Sequence, residues 1–273
     1  MLRKRGKRLT VGIAGLGAIG MEVAKRLAAG IPGLKLAAVS ARDKKAAAAR
    51  LQAAGIKAPV VMLPDLARRA DIVVECLPAA AFRSVAEPAI KRRRILVVLS
   101  VGALLTNFDL VERARKTGAR IVVPTGALIG LDAVRAAAEG EIRSVRMVTR
   151  KPPAGLEGAP YLAARGISVA ELTAPKKVFE GSARDGAAGF PANVNVAAAL
   201  SLAGIGPDRT TLEIWADPTV TRNTHTIEVD ADSARFAMKI ENVPSENPKT
   251  GRITALSVIA CLKGLVATLR VGS

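Results

Sequence analysis

Residues 11–20 read Val-Gly-Ile-Ala-Gly-Leu-Gly-Ala-Ile-Gly, a glycine-rich turn that directly follows a short apolar strand. The spacing Gly15-x-Gly17-x-x-Gly20 is the fingerprint of a dinucleotide-binding turn. In this pattern the first glycine allows a tight turn, and the second lets the backbone approach a pyrophosphate. The third lets the following helix pack closely on the strand. This stretch therefore predicts a nucleotide site at the start of an α/β domain.

The surroundings of the turn matter, because 24 glycines in 273 residues produce chance matches to so short a motif. A strand is predicted before it, over Leu9–Ala14, and a helix after it, over Ala18–Ala29, closed by Gly30. Free N–H groups at the start of that helix, including those of Ala18 and Ile19, favour a bound anion. We therefore expect NAD, NADP or a flavin nucleotide here, the alternative being a purely structural glycine turn.

Length and composition limit the class of protein. The chain is long enough for two domains or one large one, and half of its residues are apolar. No stretch approaches the roughly 18 consecutive apolar residues that a membrane span requires. Residues 1–8 are basic, as in a signal peptide, but the apolar stretch behind them is the fingerprint strand and no small-residue cleavage site follows. We expect a cytoplasmic protein with a short basic tail and no membrane partner.

The two cysteines, Cys76 and Cys261, lie far apart in the sequence and in apolar surroundings. Their spacing is typical neither of a disulfide framework nor of a metal site, so we expect buried, reduced thiols. The sequence contains no metal-ligand cluster, and we expect no metal.

The formal net charge is +18, from 41 Lys and Arg against 23 Asp and Glu. Three interpretations stand: nucleic-acid binding, a positive field that attracts dinucleotides and dicarboxylates, or an Arg-rich surface without functional meaning. The sequence has no helix-turn-helix, zinc or RNP-type signature and no basic-aromatic interleaving. We therefore expect no nucleic-acid partner, and charge alone does not choose between the other two interpretations.

Strand and helix patterns alternate along the first half of the chain, which is typical of a parallel sheet with helices on both faces. After the first strand, the predicted strands are Leu34–Val39, Pro59–Met62, Asp71–Cys76, Ile95–Leu99 and Arg120–Val123. The predicted helices that follow the first are Lys44–Ala54, Asp65–Arg69, Ala80–Ile90, Asn107–Lys116 and Leu131–Ala138. The fold class is therefore α/β, with a Rossmann-type doubly wound parallel sheet.

Ligands of such sheets bind outside the carboxyl ends of the strands. Small clusters follow three strands and should line the cofactor crevice: Leu77-Pro78 directly after Cys76, Ser100–Ala103 and Pro124–Ala127. At the end of the second strand, Ser40 occupies the position expected for an acid that binds the ribose 2′-hydroxyl, and Arg42 follows it. A missing carboxylate beside an Arg accommodates a 2′-phosphate. Asp43 can still serve NAD, so we expect both NAD and NADP to be accepted.

The pattern changes after Gly140, where strand-like alternation continues without intervening helices. The predicted strands are Ser144–Arg150, Thr210–Trp215, Arg222–Val229 and Ala234–Glu241, the last two forming a hairpin across Asp230–Ser233. Helices are predicted over Phe190–Gly204 and Ile253–Leu269. We expect a nucleotide-binding domain over residues 1–140 and an α+β domain with a mainly antiparallel sheet over 141–273. The terminal helix 253–269 is a candidate to pack back on the first domain.

The chain has one histidine, His225, in the sequence Asn223-Thr-His-Thr-Ile-Glu-Val229. Strand alternation places His225 on the same face as Ile227 and Val229. It is either a core histidine bonded to a carbonyl group or a general acid/base that faces an interdomain cleft. An unperturbed pKa near 6.5 suits proton transfer at neutral to alkaline pH.

Two asparagines are predicted in the first turn of an apolar helix, Asn193 and Asn195. Asn193 reads as a helix cap, whereas Asn195 lies deeper, where an amide near a nicotinamide carboxamide is an alternative. The polar loop 241–250 holds two prolines and Lys249, and is either a solvated turn or part of the site.

Seven segments, spread in order over almost the whole chain, resemble the L-aspartate dehydrogenases of NAD biosynthesis. They are Gly12–Gly20, Ser100–Leu104, Pro124–Asp132, Phe190–Ala197, Ala216–Pro218, Arg222–Ile227 and Glu241–Thr250. The resemblance implies a Rossmann domain followed by a substrate domain. It also implies NAD(P)-dependent oxidative deamination of L-aspartate to iminoaspartate, which quinolinate synthase uses or water hydrolyses to oxaloacetate and ammonia.

Residue roles follow from the same resemblance. It places His225 as the acid/base, and Ala127 and Asn195 at the nicotinamide. Thr226 departs from the family, which often has an acidic residue after the histidine, but alternation points Thr226 away from the cleft. We also expect a homodimer or a higher homo-oligomer.

A substrate with two carboxylates needs fixed cations or aligned N–H donors. Arg222 and Lys249 are candidates because both lie in family-matching segments near His225. Asn223, which follows Arg222, is a further candidate for substrate binding, and Arg150 is another option. The alternative is that these side chains are solvated surface charges. Two other functions stay open. One is an NAD(P)-dependent enzyme for another amino or semialdehyde acid, and the other is a nucleotide-sensing DNA-binding regulator.

Overall fold

The computed structural model describes residues 8–191, 194–245 and 251–272, and elements are numbered here in chain order. The strands are β1 (Leu9–Ala14), β2 (Leu34–Ser40), β3 (Val60–Val61), β4 (Ile72–Glu75), β5 (Ile95–Val98), β6 (Arg120–Val122), β7 (Ile142–Lys151), β8 (Lys176–Ser182), β9 (Thr210–Ala216), β10 (Asn223–Ala231) and β11 (Arg235–Asn242). The helices are α1 (Ala18–Ala28), α2 (Lys44–Ala53), α3 (Leu63–Arg69), α4 (Phe82–Lys91), α5 (Val101–Thr106), α6 (Asp109–Thr117), α7 (Leu131–Ala137), α8 (Pro160–Ala164), α9 (Ala183–Gly189), α10 (Asn195–Ala203) and α11 (Arg252–Gly264).

The described residues form two compact units. The first unit comprises the chain up to Ser100 together with Thr106–Pro124 and Ala255–Arg270. The second unit contains Val101–Leu105 and the described part of 125–254. The units therefore alternate along the chain, and residues 125–140 group with the second unit.

The first unit is built on a six-stranded sheet in the order β3-β2-β1-β4-β5-β6. All neighbouring pairs in it are parallel. This is the strand order of the Rossmann fold, and it confirms the predicted fold class. Parallel strands are buried on both faces, and β4 accordingly has four buried residues.

One core cluster holds the first unit together. Val11 and Ile13 of β1 lie in it, and so do Val258, Ile259 and Leu262 of α11. The C-terminal helix is therefore part of the first unit's core. It ends at Gly264, five residues before the predicted end.

The second unit is built on a five-stranded sheet in the order β11-β10-β7-β9-β8. The pair β7–β9 is parallel, and the other three pairs are antiparallel. The predicted hairpin is present, with Asp230 opposite Arg235. The sequence pattern missed β8, because this edge strand carries charged residues on its exposed positions and so lacks a clear apolar alternation.

Two predicted elements are wrong in detail. The predicted helix Phe190–Gly204 begins five residues later than predicted, because α10 runs over Asn195–Ala203, and the separate helix α9 ends at Gly189, before the predicted start. Pro191 disfavours the helical conformation of the preceding residue, and the buried Phe190 ring packs 5.2 Å from Tyr161 and 5.6 Å from Phe179. The predicted loop Ser100–Ala103 is mostly helical, since α5 begins at Val101.

Two compositional expectations can be compared with the structure. No helix in the described residues has the length and apolar character to cross a membrane. Both cysteines are free, but each is only half-buried rather than buried. Burial still raises the pKa of both thiols, to about 11 for Cys261, so they are protonated at neutral pH.

Candidate active site

At two positions of the fingerprint, the surrounding backbone leaves room only for glycine. Gly15 has φ +99°, and a Cβ there would lie 2.5 Å from the carbonyl oxygen of Cys76. A Cβ on Gly20 would lie 2.0 Å from the carbonyl oxygen of Gly15. These contacts exclude any side chain at either position, as the motif predicts.

Gly17 differs, because no atom lies within 4 Å of the position a Cβ would take. It is the N-cap of α1, in extended conformation, and the first turn of that helix contains no acidic residue. The backbone N–H groups of Ala18, Ile19 and Gly20 begin the helix and have no intrahelical acceptor. The open space and these donors fit a dinucleotide pyrophosphate.

The end of β2 supports the same turn. Ser40 is buried, and its carbonyl oxygen accepts a hydrogen bond of 2.7 Å from the Gly15 N–H. Arg42 is exposed. Asp43 caps α2, because its carboxylate accepts from the Ala46 N–H at 2.9 Å. One oxygen of Asp43, the alternative ribose ligand, is therefore engaged in helix capping.

A buried carboxylate organises the neighbouring strand ends. Glu75, the last residue of β4, accepts from the N–H groups of Leu77 (2.9 Å), Leu99 (3.2 Å) and Ser100 (2.9 Å), and from the Ser100 hydroxyl (3.0 Å). Burial raises the pKa of Glu75, and these hydrogen bonds oppose the rise. The predicted cofactor residues Cys76 and Leu77 follow it and are half-buried. Pro78, the third, is exposed.

Sequence reasoning missed Glu75. The available signal is a carboxylate that ends an otherwise apolar buried strand, a position that requires several donors. Its hydrogen bonds fix the loop after β4 to the loop after β5.

His225 lies on β10 in the second unit and is 3% exposed. Its Cα partner across the antiparallel ladder is Thr149 of β7, and the Thr149 hydroxyl lies 3.1 Å from Nδ1 of the imidazole. Ile227 and Val229 are also buried, whereas Glu228 is exposed, so the predicted alternation is confirmed.

The pKa of His225 departs from the unperturbed value of 6.5. Burial lowers the pKa of His225 to about 3, and the positive charge of Lys151 acts in the same direction. The imidazole is therefore neutral throughout the physiological pH range.

Lys151 was not singled out by sequence reasoning. It is the last residue of β7 and is only 4% exposed. It lies two residues after Thr149 and hence on the same sheet face as His225. The sequence does show a lysine at the end of a strand with an alternating pattern. It does not show which face of that strand is buried, so it could not identify Lys151 as a buried residue.

Two asparagines hold backbone segments of the second unit. The Asn195 side-chain oxygen accepts from the Gly102 N–H at 3.0 Å. The Asn242 side-chain amide donates to the carbonyl oxygen of Ala127 at 3.0 Å. The other side-chain atom of Asn242, Oδ1, is buried and has no hydrogen-bond partner among the described residues. Ala127 and Asn195, the two residues predicted at the nicotinamide, are thus both positioned by amide contacts.

The predicted substrate residues are placed unequally. Asn223 is half-buried and lies opposite Asn242 across the β10–β11 ladder. Arg222 precedes β10 and is exposed. Lys249 lies outside the described residues.

Arg150, the further option, lies on the sheet face opposite to that of Thr149. Its guanidinium bonds the buried carboxylate of Asp217 at 3.0 Å and lies 4.7 Å from the Trp215 ring centroid. Asp217 also accepts from the Thr219 N–H and hydroxyl at 2.9 and 2.6 Å. The family-matching segment Ala216–Pro218 therefore makes a structural turn that engages Arg150.

The described residues contain no group of three or more His, Cys, Asp or Glu side chains that could hold a metal ion. The chemistry available is a neutral imidazole and a buried ammonium group on one face of the second unit's sheet. Such a cluster can bind an anionic substrate and accept a proton from it.

Comparison with known proteins agrees with this geometry. Residues 132–265 match the family described as aspartate dehydrogenase, C-terminal. Residues 15–124 match the NAD-binding domain of homoserine dehydrogenase. The chain is 60% identical to the L-aspartate dehydrogenase of Bradyrhizobium diazoefficiens, over 97% of this chain and 94% of that protein. The chain belongs to the aspartate dehydrogenase family.

A second relative matches over nearly the whole length of both chains. L-aspartate dehydrogenase 3 of Bordetella bronchiseptica is 56% identical over 98% of both chains. The crystal structure of aspartate dehydrogenase from Thermotoga maritima covers 97% of this chain with a TM-score of 0.74 and 24% identity, a likeness of fold. The predicted membership of the aspartate dehydrogenase family is therefore confirmed. The first unit is the NAD(P)-binding part of the chain.

Proposed function

We propose that this protein is an NAD(P)-dependent L-aspartate dehydrogenase, which oxidises L-aspartate to iminoaspartate. The observation that carries the proposal is the neutral, buried His225, held by Thr149 beside the ammonium of Lys151, in a chain of the aspartate dehydrogenase family. Gly15, Gly17, Gly20 and the first N–H groups of α1 hold the dinucleotide. Ser40 and Arg42 lie at its ribose.

A dinucleotide held at the glycine turn would supply the acceptor for the hydride that leaves the α-carbon of the substrate. The substrate ammonium group must lose one proton in the same conversion. His225 accepts that proton, because its imidazole is neutral and Thr149 fixes the ring through Nδ1, which leaves Nε2 for the substrate. Loss of one hydride and one proton converts the ammonium compound to its iminium form, so charge and atoms balance.

A pKa of about 3 describes a weak base, and substrate binding is expected to strengthen it. L-Aspartate brings two carboxylates to a region that contains Lys151. Negative charge near an imidazole favours its protonated form and raises its pKa. His225 thus becomes a competent base when the substrate is bound.

We further propose a cytoplasmic homodimer or higher homo-oligomer, in which residues 1–140 form most of the cofactor domain, 141–273 form most of the substrate domain, and the terminal helix packs back on the cofactor domain. Imines hydrolyse in water, so the product yields oxaloacetate and ammonia unless quinolinate synthase consumes it first. Analytical ultracentrifugation tests the assembly, and the product ratio with and without that enzyme tests the transfer.

The decisive experiment measures NAD(P)H formation with L-aspartate and with a panel of other amino and semialdehyde acids. We expect turnover with L-aspartate, and a loss of roughly 10²–10⁴-fold in His225→Ala with unchanged cofactor affinity. Preference for another acid would replace the proposed substrate. Salt-sensitive DNA binding without turnover would support a regulator instead.

A further inference from the structure

Asn242, the last residue of β11, has a buried side-chain amide of which only one polar group is engaged. The residue is 3% exposed, and its NH₂ group donates to the carbonyl oxygen of Ala127 at 3.0 Å. That bond fixes which way the amide faces. The other polar atom, Oδ1, is buried and has no hydrogen-bond partner among the described residues. A buried acceptor without a donor is unfavourable, so this oxygen favours a ligand that brings an N–H or O–H group.

The register of the second unit's sheet places Asn242 next to the pair that contains His225. Across the β10–β11 ladder His225 pairs with Ile240. Asn242 lies two residues after Ile240, so it is on the same face of the sheet as His225. Two residues of a strand span about 7 Å, a separation that one small ligand can bridge. Both side chains are 3% exposed, so a ligand reaches either one only after covering residues move.

A glycine lies beside the unpaired oxygen. Gly251 forms a β-bridge with Pro244, and a Cβ on Gly251 would lie 3.1 Å from Oδ1 of Asn242. The three atoms nearest to that Cβ are Cβ, Cγ and Oδ1 of Asn242, and the NH₂ nitrogen is not among them. A methyl group at Gly251 would therefore crowd the acceptor and leave the bond from the NH₂ group to Ala127.

The ionised carboxylates of an amino acid carry no hydrogen-bond donor, whereas its ammonium group carries three. An unpaired acceptor beside an imidazole therefore suits the amino group of the substrate and neither of its carboxylates. His225 removes one proton from that nitrogen in the proposed reaction, and the iminium product still has two N–H groups. A donor for Oδ1 of Asn242 is thus present in the substrate and in the product.

We propose that Oδ1 of Asn242 accepts a hydrogen bond from the amino group of the substrate, the group from which His225 takes its proton. This inference rests on the proposed function and goes beyond it by assigning the residue that recognises the amino group. The contact holds the nitrogen in place during proton transfer, and it favours amino acids over dicarboxylates that lack the amino group.

The test is Gly251→Ala, with Gly264→Ala as the matched control, because a Cβ on Gly264 meets no atom within 4 Å. We expect the KM for L-aspartate to rise roughly tenfold in Gly251→Ala and to stay unchanged in Gly264→Ala. Succinate has both carboxylates but no amino group, so its Ki as a competitive inhibitor should be unchanged in both variants. Equal losses for L-aspartate and succinate would overturn the inference.

Asn242→Ala removes the acceptor together with the bond to Ala127, and its Tm reports whether the variant is folded. We expect it to raise the KM for L-aspartate at least as much as Gly251→Ala does. An effect in Asn242→Ala without one in Gly251→Ala would show that Asn242 acts only through Ala127, and would overturn the inference.

The carboxamide of a nicotinamide also carries N–H donors, and the Kd for the cofactor separates the two sources. It should be unchanged in Gly251→Ala. A weaker cofactor Kd with an unchanged KM for L-aspartate would assign Oδ1 to the cofactor and overturn the inference. A wild-type protein that is inactive on L-aspartate would overturn the proposed function instead. Calorimetry with L-aspartate and succinate would then still show whether the amino group is recognised.

Discussion

The hydroxyl of Thr149 lies 3.1 Å from Nδ1 of His225, and the two residues are direct Cα partners across the antiparallel β7–β10 ladder. This contact joins residues that are 76 positions apart in the chain. Both side chains are buried, so the imidazole has a fixed plane. Catalytic imidazoles commonly depend on such a partner for their orientation.

Thr149→Val therefore tests the orientation of His225. Valine has nearly the same shape but no hydroxyl, so the imidazole loses its partner at Nδ1. We expect kcat to fall by roughly tenfold, the worth of one hydrogen bond, with cofactor affinity unchanged. Steady-state kinetics of Thr149→Val and of the control Thr149→Ser would show it. Equal activity of all three proteins would mean that Thr149 only fills space.

The buried His225 makes stability depend on pH. Below its ordinary pKa of 6.5 the unfolded chain binds a proton at this residue, whereas the folded chain does not until about pH 3. The unfolded state thus holds more protons in this interval, and the free energy of unfolding decreases as the pH falls from 6.5 towards 3. One proton gives a slope of at most about 1.4 kcal/mol per pH unit.

His225→Gln removes this proton, so the free energy of unfolding should depend less steeply on pH than in the wild type. Urea unfolding at several pH values across this interval gives the slope for the wild type and for His225→Gln. The acidic residues contribute to both slopes, so the difference between the slopes reports His225 alone. Identical slopes would show that His225 titrates normally in the folded protein.

A substitution at Gly17 can test cofactor binding without disturbing the fold, because the position faces open space. Gly17→Val should fold normally, because no atom lies within 4 Å of the new Cβ, but its side chain takes the space of the pyrophosphate. We expect an unchanged Tm and no measurable NAD binding by calorimetry. Gly264→Ala, which also meets no atom within 4 Å, serves as the control and should keep both properties. NAD binding by Gly17→Val would place the pyrophosphate elsewhere.

Arg42 and Arg50 should affect the cofactor differently. Arg42 is exposed at the end of β2, where a 2′-phosphate would lie, so Arg42→Ala should weaken NADP by roughly tenfold and NAD little. Arg50 donates to the carbonyl oxygen of Leu16 in the glycine turn at 2.7 Å, so Arg50→Ala should weaken both cofactors alike. Fluorescence titration with NADPH and NADH measures the ratio. Parallel losses in Arg42→Ala would exclude a 2′-phosphate contact.

Glu75→Gln tests the carboxylate between β4 and β5. Each carboxylate oxygen accepts a hydrogen bond from a backbone N–H group. In glutamine one of these oxygens is replaced by an NH₂ group, which would face a backbone N–H donor and could not accept its hydrogen bond. We expect a loss of about 1–3 kcal/mol in the free energy of unfolding. Glu112→Gln, on an exposed residue of α6, should change it by less than about 0.5 kcal/mol. Equal effects in thermal unfolding would show that Glu75 has no special role.

Much of the first unit could be predicted from the sequence, because its determinants are local. The glycine turn, the apolar run Ile72–Glu75 and the helix that Gly118 ends in left-handed conformation each lie within a few residues of the chain. Alternation also identified both faces of β10. The prediction failed at Phe190, where a buried aromatic cluster and Pro191 override the helical pattern, and at the edge strand β8.

The sequence by itself therefore determined the nucleotide-binding fold, the aspartate dehydrogenase resemblance and His225, which is its only histidine. Only the tertiary structure decided which residues surround that histidine. Thr149 and Lys151 become its neighbours through the register of β7 against β10, and Asn242 reaches Ala127 over 115 residues of sequence. Burial, which gives His225 its low pKa, is likewise a property of packing between distant segments, and periodicity within one strand does not contain it.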